Sequence, residues 1–138
     1  MTDVDWEPLV ETALEARGRA YAPYSGYRVG AALLTRDGRV FAGCNVENAS
    51  FPVCLCAERA ALAAAVSSGF TEFSAIVVVT AGDRPAPPCG MCRQALAEFE
   101  PDLAVLGVTP EGVRERWSLA ALLPGAFRSA ALEDGQED

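Results

Sequence analysis

Two short segments decide the fold and the chemistry: Cys56-Ala57-Glu58-Arg59 and Pro88-Cys89-Gly90-Met91-Cys92. Together they supply three thiolates and one carboxylate, in a sequence that contains no histidine. A single cysteine far upstream of a Cys-x-x-Cys pair is a ligand set suited to zinc, and catalytic zinc sites keep three protein ligands and one open position. The spacing therefore predicts a catalytic zinc site on Cys56, Cys89 and Cys92, with Glu58 as its proton carrier.

Both segments lie where helices are expected to begin. The alanine-rich stretch 56–68 predicts a close-packed helix that stops at Gly69. Cys56 and Glu58 are about 200° apart around a helix, so both reach one site only if Cys56 lies at the very start. Cys89 and Cys92 are three positions apart and share a face in the first turn of a further helix. That helix is predicted to run to Phe99, before Pro101.

The apolar runs around these helices predict strands. Four are expected: Val29–Thr35, Val40–Asn45, Ala75–Thr80 and Leu103–Thr109. The first two form a hairpin through Asp37-Gly38, and the last two are continuous apolar runs typical of strands buried on both faces. An amphipathic helix from Trp6 to about Tyr21 precedes them. The alternation predicts an α/β fold: a three-layer α/β/α sandwich with a mixed sheet of about five strands and helices on both faces.

Length and composition favour one domain over residues 1–138. The chain is 51% hydrophobic and 22% charged, which suits a single packed core. No stretch approaches 18 uninterrupted apolar residues, so a membrane span is disfavoured and a cytoplasmic location is expected. In that compartment the five cysteines stay reduced, which favours metal binding over disulfides.

The charge distribution favours a small-molecule substrate. The net charge is −8, and all eleven cations are arginines spread singly along the chain. Proteins that bind polynucleotides draw much of their affinity from clustered lysine and arginine. The sequence therefore predicts no nucleic-acid partner and no membrane partner.

Asn45 and Glu47 form a second candidate feature, just before the zinc-binding segment. If the chain is extended there, residues two apart point to the same side of the sheet. An amide offers a donor and an acceptor, and a carboxylate accepts two donors, which complements a sugar diol. Polar pairs at strand ends are often merely solvated. The position beside Cys56 favours the functional interpretation.

The motifs resemble those of the small, homotetrameric, zinc-dependent cytidine deaminases. A ligand-x-Glu followed by Pro-Cys-x-x-Cys is the pattern of zinc nucleobase deaminases, in which a Cys-only ligand set also occurs. Further segments resemble the family in the same order: Pro23-Tyr24-Ser25, Val29-Gly30-Ala31-Ala32, residues 43–49, Cys92-Arg93-Gln94 and residues 122–127. The resemblance implies hydrolytic deamination of cytidine and 2′-deoxycytidine in pyrimidine salvage, with one zinc per subunit.

The resemblance also implies roles for individual residues. It places zinc on the three cysteines named above and proton transfer on the glutamate. The implied substrate contacts are Asn45 and Glu47 with the ribose hydroxyls, Tyr27 and the Ala57 backbone with the base, and Phe127 reaching in from a neighbouring subunit. The family commonly has phenylalanine where Tyr27 stands and tyrosine where Phe51 stands. In this chain the aromatic hydroxyl is therefore at position 27 and not at position 51.

Charge balance at the predicted site points to one more residue. Three thiolates and Zn²⁺ sum to −1, and two helix N-termini, each worth about half a positive charge, offset this excess. Arg59 is expected to donate hydrogen bonds to the sulfurs, as groups around metal ligands often do. A solvent-exposed helix arginine is the alternative.

The sequence also allows other interpretations. With Cys54 as a fourth ligand, the site would be a closed, structural zinc site. The alternative for Cys54 is packing, with the incoming loop carrying it back into the core. A deaminase of a nucleotide, a polynucleotide or a cytosine-bearing antibiotic would keep the zinc and change the recognition residues. The apolar segment 119–123 and Phe127 follow a core that already looks complete, so they predict an interface, unless Phe127 packs on its own subunit.

Overall fold

A mixed five-stranded sheet forms the middle layer of the computed structural model, which describes residues 3–137. Its strands are β1 (Gly30–Thr35), β2 (Val40–Cys44), β3 (Phe73–Val79), β4 (Ala104–Val108) and β5 (Arg114–Ser118). The helices are α1 (Trp6–Gly18), α2 (Ala57–Ser67), α3 (Gly90–Ala97), α4 (Leu119–Leu122) and α5 (Ser129–Asp134), and residues 51–53 form a 3-10 turn. Helices cover both faces of the sheet, which confirms the predicted fold class.

The strand order is β2-β1-β3-β4-β5, and only β3 and β4 pair in parallel. The hairpin of β1 and β2 pairs Gly30 with Cys44, and β1 also pairs antiparallel with β3. The strands β2 and β3 therefore run in the same direction, and α2 connects them by crossing over β1. The helix α3 connects β3 to β4 in the same way, so α2 and α3 both begin near the carboxyl ends of these strands.

Alternate side chains of each inner strand point to opposite layers. On one face Ile76 and Val78 pack with α2 and α3, and on the other Val77 and Val79 pack with α1. All four are at most 1% exposed. This two-sided burial explains the continuous apolar run in the sequence of β3.

Two glycines allow the helices to lie directly against the sheet. A Cβ at Gly30 would lie 2.0 Å from the carbonyl oxygen of Ala13 in α1. A Cβ at Gly43 would lie 2.4 Å from the carbonyl oxygen of Ala57 and 2.4 Å from the amide of Ala61, both in α2. The close approach at Gly43 fixes the first turn of α2 against the hairpin.

Several helices and strands end earlier in the structure than the sequence predicts. The first helix ends at Gly18, since the Tyr21 amide donates to the carbonyl of Asn45 at 3.0 Å and the Tyr21 carbonyl accepts from Glu47 at 2.9 Å. The second strand ends at Cys44 and the third helix at Ala97. Tyr21 therefore pairs with the chain after β2 instead of continuing α1.

The strand β5 and the burial of Leu119 were not predicted. β5 reads Arg-Glu-Arg-Trp-Ser and has no apolar run, because it is an edge strand whose side chains are half-buried or exposed. Leu119 is fully buried and belongs to the core on the α2 and α3 side. The expectation that segment 119–123 lies outside a complete core is therefore wrong.

The helices of the described chain are short. The longest, α1, has 13 residues, so it spans about 20 Å at 1.5 Å per residue. The hydrocarbon core of a bilayer is about 30 Å thick. Within residues 3–137, no helix combines the length and the apolar character needed to cross a membrane.

Candidate active site

Three sulfur atoms lie together where α2 meets α3. The Sγ atoms of Cys56 and Cys89 are 3.8 Å apart, those of Cys89 and Cys92 are 3.5 Å apart, and all three lie within 4.8 Å of one another. A tetrahedral zinc ion with Zn–S distances of about 2.3 Å places its sulfur ligands about 3.8 Å apart. The spacing and the soft donor set both fit zinc.

Helix starts position these sulfurs. Cys56 is the residue before α2, with an extended backbone (φ −76°, ψ 153°), and Cys89 occupies the same place before α3 (φ −66°, ψ 167°). Cys92 lies in the first turn of α3 and is fully buried. The partial positive charge at each helix N-terminus favours the ionised thiolates.

Contacts within the cluster shift the pKa values of Cys56 and Cys92 in opposite directions. The pKa of Cys56 is lowered to about 5, chiefly because the Cys92 thiol donates a hydrogen bond to it, with a further contribution from Arg59. The pKa of Cys92 is raised, chiefly by the same contact with Cys56 and then by its burial. The cluster is therefore ready to bind a cation, which displaces the remaining thiol protons on binding.

The Arg59 side chain contacts this cluster. Its Nη2 donates to the Cys56 sulfur at 3.4 Å, and its pKa is raised, chiefly by hydrogen bonds to Cys56 and then Cys92. The Arg59 Nε is buried and has no hydrogen-bond partner among residues 3–137. The guanidinium thus lies against the sulfurs and not on the solvent side of α2.

A cavity of about 270 Å³ opens beside the sulfurs. The predicted site residues that line it are Tyr27, Asn45, Glu47, Cys56, Ala57, Glu58 and Cys89. Ligand pockets in proteins begin at about 300 Å³, so this cavity suits a small ligand. Tyr27 and Cys89, which are 62 positions apart in the sequence, meet at this one cavity.

Glu58 is the buried acid of the cavity. Its side chain lies in the first turn of α2, and the residue is only 5% exposed. Burial raises its pKa to about 7, with a smaller opposing contribution from a hydrogen bond to its own backbone. A carboxyl group with this pKa both accepts and releases protons near neutral pH.

Asn45 and Glu47 line the same cavity, and the loop before β1 uses part of their hydrogen-bonding capacity. The Asn45 Oδ1 accepts from the Val29 amide at 2.9 Å, and its Nδ2 donates to the Tyr27 carbonyl at 2.7 Å. The Glu47 Oε1 accepts from the amides of Tyr24 (3.0 Å) and Ser25 (3.1 Å), and its Oε2 accepts from the Ser25 hydroxyl. No pattern in the sequence predicts these contacts.

Phe127 lies outside this cavity in its own chain. Phe127 is 60% exposed, and its backbone carbonyl accepts a hydrogen bond from the Gln94 side chain of α3 at 2.9 Å. Arg93 donates to the carbonyls of Pro88 at 2.7 Å and Leu122 at 2.8 Å. The helix that carries Cys92 therefore also fixes the position of the segment that ends in Phe127.

The profile of the cytidine and deoxycytidylate deaminase zinc-binding region matches residues 4–108. The chain belongs to this family. A cytidine deaminase from Halalkalibacterium halodurans is 46% identical over 132 residues, covering 95% of this chain and 100% of that protein. One from Sporosarcina psychrophila is 43% identical, covering 97% and 99%. A crystal structure of cytidine deaminase from Burkholderia pseudomallei has a TM-score of 0.85 and 49% identity, covering 92% of this chain and 100% of that chain.

Membership of the deaminase family and the sulfur geometry confirm zinc as the cofactor. The alternative of a closed site with four cysteines is not supported, since the cluster holds Cys56, Cys89 and Cys92. The Cys54 sulfur accepts from the Asn48 amide at 3.3 Å and donates to the Asn48 carbonyl at 3.6 Å. Cys54 is only half-buried and lines the cavity, which differs from the core position expected for it.

Other residues of this deaminase cavity were missed by the sequence analysis: Val29, Leu55, Thr80, Ala86 and Pro87. Thr80 is the most informative, because it follows the buried strand β3 and is only 4% exposed. Its hydroxyl accepts from the Ala86 amide at 2.9 Å and so holds the loop that forms one wall of the cavity. A threonine at the carboxyl end of an inner strand was the available signal.

Proposed function

We propose that the protein catalyses the zinc-dependent hydrolytic deamination of cytidine and 2′-deoxycytidine. The products are uridine, 2′-deoxyuridine and ammonia, and the reaction serves pyrimidine salvage. One observation carries this conclusion: a buried carboxylate, Glu58, lines the same small cavity as thiolates at zinc-binding distance. The family relationship and the relatives named cytidine deaminase support it.

Zinc held by the three cysteines supplies Lewis-acid activation of a water molecule. Glu58 is proposed to take a proton from the attacking water and to deliver it to N3 of the cytosine ring. The resulting hydroxide attacks C4 of the ring. As the C4–N bond breaks, Glu58 transfers the proton of the new C4 hydroxyl to the leaving amine, so that the carbonyl of uridine forms and ammonia departs. A carboxyl pKa of about 7 suits a group that must accept and release a proton in each turnover.

The free hydrogen-bonding capacity of Asn45 and Glu47 supports both nucleosides as substrates. Asn45 keeps one N–H and one lone pair, and of about four carboxylate lone pairs on Glu47 three are used. A sugar hydroxyl that accepts from the Asn45 amide and donates to the Glu47 carboxylate would use two of these three remaining groups. Cytidine and 2′-deoxycytidine share the 3′-hydroxyl, so this arrangement is expected to bind that group and to tolerate loss of the 2′-hydroxyl.

The remaining site residues are proposed to act on the base and on the sulfurs. Tyr27 flanks the pyrimidine from the mouth of the cavity, where it is 42% exposed. The backbone of Ala57, at the first position of α2, contacts the ring edge. Arg59 offsets the net charge of −1 that three thiolates and Zn²⁺ leave, because its guanidinium donates to Cys56.

We further propose that residues 1–138 form a single catalytic domain that assembles as a homotetramer in the cytoplasm. Each Phe127 is proposed to reach into a neighbouring subunit's site. The exposure of this phenylalanine and its backbone anchor on Gln94 support that role. The net charge of −8 disfavours nucleic acid as a partner.

An assay of ammonia release tests the proposed function directly. The substrates are cytidine, 2′-deoxycytidine, cytidine monophosphate and free cytosine, each with the zinc-loaded protein and after chelation. Comparable turnover of both nucleosides is expected. Turnover of cytidine monophosphate should be low because Glu47 repels its phosphate, and removal of zinc should abolish the activity. Absence of ammonia release from both nucleosides by the zinc-loaded protein would disprove the proposal.

A further inference from the structure

The Ser25 hydroxyl lies between two parts of the proposed nucleoside site. It donates to the Oε2 atom of Glu47 and accepts from the Tyr27 amide at 3.0 Å. Its own backbone amide donates to Glu47 Oε1 at 3.1 Å. Ser25 does not line the main cavity, so it acts on a ligand there only through these neighbours.

The Tyr27 amide fixes the direction of the Ser25 hydroxyl. An amide can only donate, so it occupies a lone pair on the serine oxygen and leaves the hydroxyl hydrogen to point at Glu47. Both carboxylate oxygens are therefore held, Oε1 by two amides and Oε2 by the hydroxyl. The carboxylate cannot rotate without breaking several hydrogen bonds at once.

The turn at residues 22–26 places Ser25 next to Glu47. Gly26 has φ +70°, a conformation that side chains rarely adopt, and its amide donates to the Ala22 carbonyl at 3.0 Å. The turn brings the amides of Tyr24 and Ser25 onto one carboxylate. Further along the loop, the Asn45 side chain donates to the Tyr27 carbonyl at 2.7 Å, so the loop is bonded at two places to Asn45 and Glu47, which follow directly after β2.

We propose that Ser25 is a positioning residue for sugar recognition: its hydroxyl orients the Glu47 carboxylate so that one lone pair faces the sugar hydroxyl of the nucleoside. This inference rests on the proposed function. It predicts that Ser25 affects binding of the sugar and leaves proton transfer at Glu58 unchanged. The pKa of Glu47 is lowered, chiefly by its hydrogen bond from Ser25, which agrees with a carboxylate held in its ionised form.

The test compares cytidine with 2′,3′-dideoxycytidine, which lacks the sugar hydroxyls that Glu47 would bind. With Ser25→Ala, kcat/KM for cytidine is expected to fall about tenfold through KM, since hydrogen bonds to charged groups are the strong ones. The value for dideoxycytidine, measured as turnover or as an inhibition constant against cytidine, is expected to stay within about twofold, because the hydroxyl contact is absent there.

Two further variants complete the experiment. Ser25→Thr keeps the hydroxyl at an exposed position and is expected to restore cytidine kinetics to within about threefold of wild type. Ser67→Ala, an exposed serine at the far end of α2 from Cys56, is the matched control and should change neither substrate. NMR titration of the Glu47 carboxyl should show a higher pKa in Ser25→Ala than in wild type.

Each adverse outcome has a separate meaning. An equal loss on cytidine and dideoxycytidine would show that Ser25 only maintains the loop, and unchanged cytidine kinetics would show that it has no role. Either result overturns the inference while the deaminase function stands. A wild-type protein that releases no ammonia from cytidine overturns the proposed function itself, and the sugar role of Ser25 with it.

Discussion

The metal-binding and the proposed sugar-binding parts of the active site are held in place by different structural elements. The metal corner consists of Cys56, Glu58, Cys89 and Cys92, which sit on or directly before the first turns of two packed helices. The proposed sugar wall consists of Tyr27, Asn45 and Glu47, which lie in loops tied together by hydrogen bonds between side chains and backbone. Ser25 does not line the cavity but donates to Glu47. Cys92 and Glu58 are 0% and 5% exposed, whereas Tyr27 is 42% exposed.

This difference indicates that the two parts of the site contribute differently to turnover and to substrate binding. Packed helices fix the sulfurs and the proposed proton carrier, and the burial of Glu58 and Cys92 strengthens their electrostatic interactions. The proposed sugar contacts lie in solvent-exposed loops held by hydrogen bonds, and each such contact contributes modestly. Changes at the metal corner should therefore abolish turnover, and changes at the sugar wall should weaken binding of nucleosides.

The largest effect is expected when a sulfur ligand is removed. Cys56→Ser should lose the zinc or most of the deaminase activity, because a neutral hydroxyl is a poor substitute for a thiolate. Cys54→Ser is the matched control, two positions away, and should keep one zinc per chain and near-normal activity. Metal analysis and ammonia release measure both. Zinc loss on changing Cys54, in a protein inactive on cytidine, would show a structural zinc site and remove the distinction between the two regions.

The next effect concerns proton transfer without loss of metal. Glu58→Gln should keep zinc and lower kcat by at least about 10²-fold, since the amide cannot act as a general base. The change is nearly isosteric, so circular dichroism and zinc content should match wild type. Activity within a few-fold of wild type would exclude Glu58 as the proton carrier.

A smaller and selective effect is expected at the sugar wall. Glu47→Ala should lower kcat/KM for cytidine by about 10- to 100-fold, because hydrogen bonds to a charged group are stronger than those between neutral groups. The loss should appear in KM and spare 2′,3′-dideoxycytidine. Glu133→Ala in the exposed helix α5 is the control for removal of one charge. Unchanged cytidine kinetics would require the ribose role to be abandoned.

The smallest effect tests whether a neighbouring subunit completes the site. Truncation after Pro124 should reduce the oligomer seen by light scattering and lower activity about fivefold, the scale of one lost aromatic contact. A truncation after Asp134, which keeps Phe127, is the control. A fully active monomer lacking residues 125–138 would show that each subunit forms its site alone.

The metal corner was predictable from sequence because its signals are local. The three-residue spacing of Cys89 and Cys92, the alanine-rich run after Cys56 and the prolines before Cys89 each specify a helix start within a few residues. The predicted starts lie within one residue of α2 and α3 as observed. The inner strand β3 was equally clear, because burial on both faces leaves a continuous apolar run.

The contacts of the sugar wall could not be predicted in the same way. Asn45 and Glu47 were recognisable as a polar pair, yet nothing near them in sequence shows that residues 24–29 occupy most of their hydrogen-bonding groups. The edge strand β5 was missed because a half-exposed strand needs no apolar run. Leu119 was misplaced because burial depends on which distant elements cover a side chain.

The sequence by itself determined the cofactor, the ligands suited to it, the helices that present them and the layered fold, because spacing and periodicity act over a few residues. Tertiary structure alone decided how much of Asn45 and Glu47 remains free for a sugar, where Cys54 points and what Thr80 supports. Those properties depend on hydrogen bonds between segments up to 23 residues apart, such as Tyr24 with Glu47. Such contacts form only when these segments have folded together, so the spacing of residues in the sequence does not specify them.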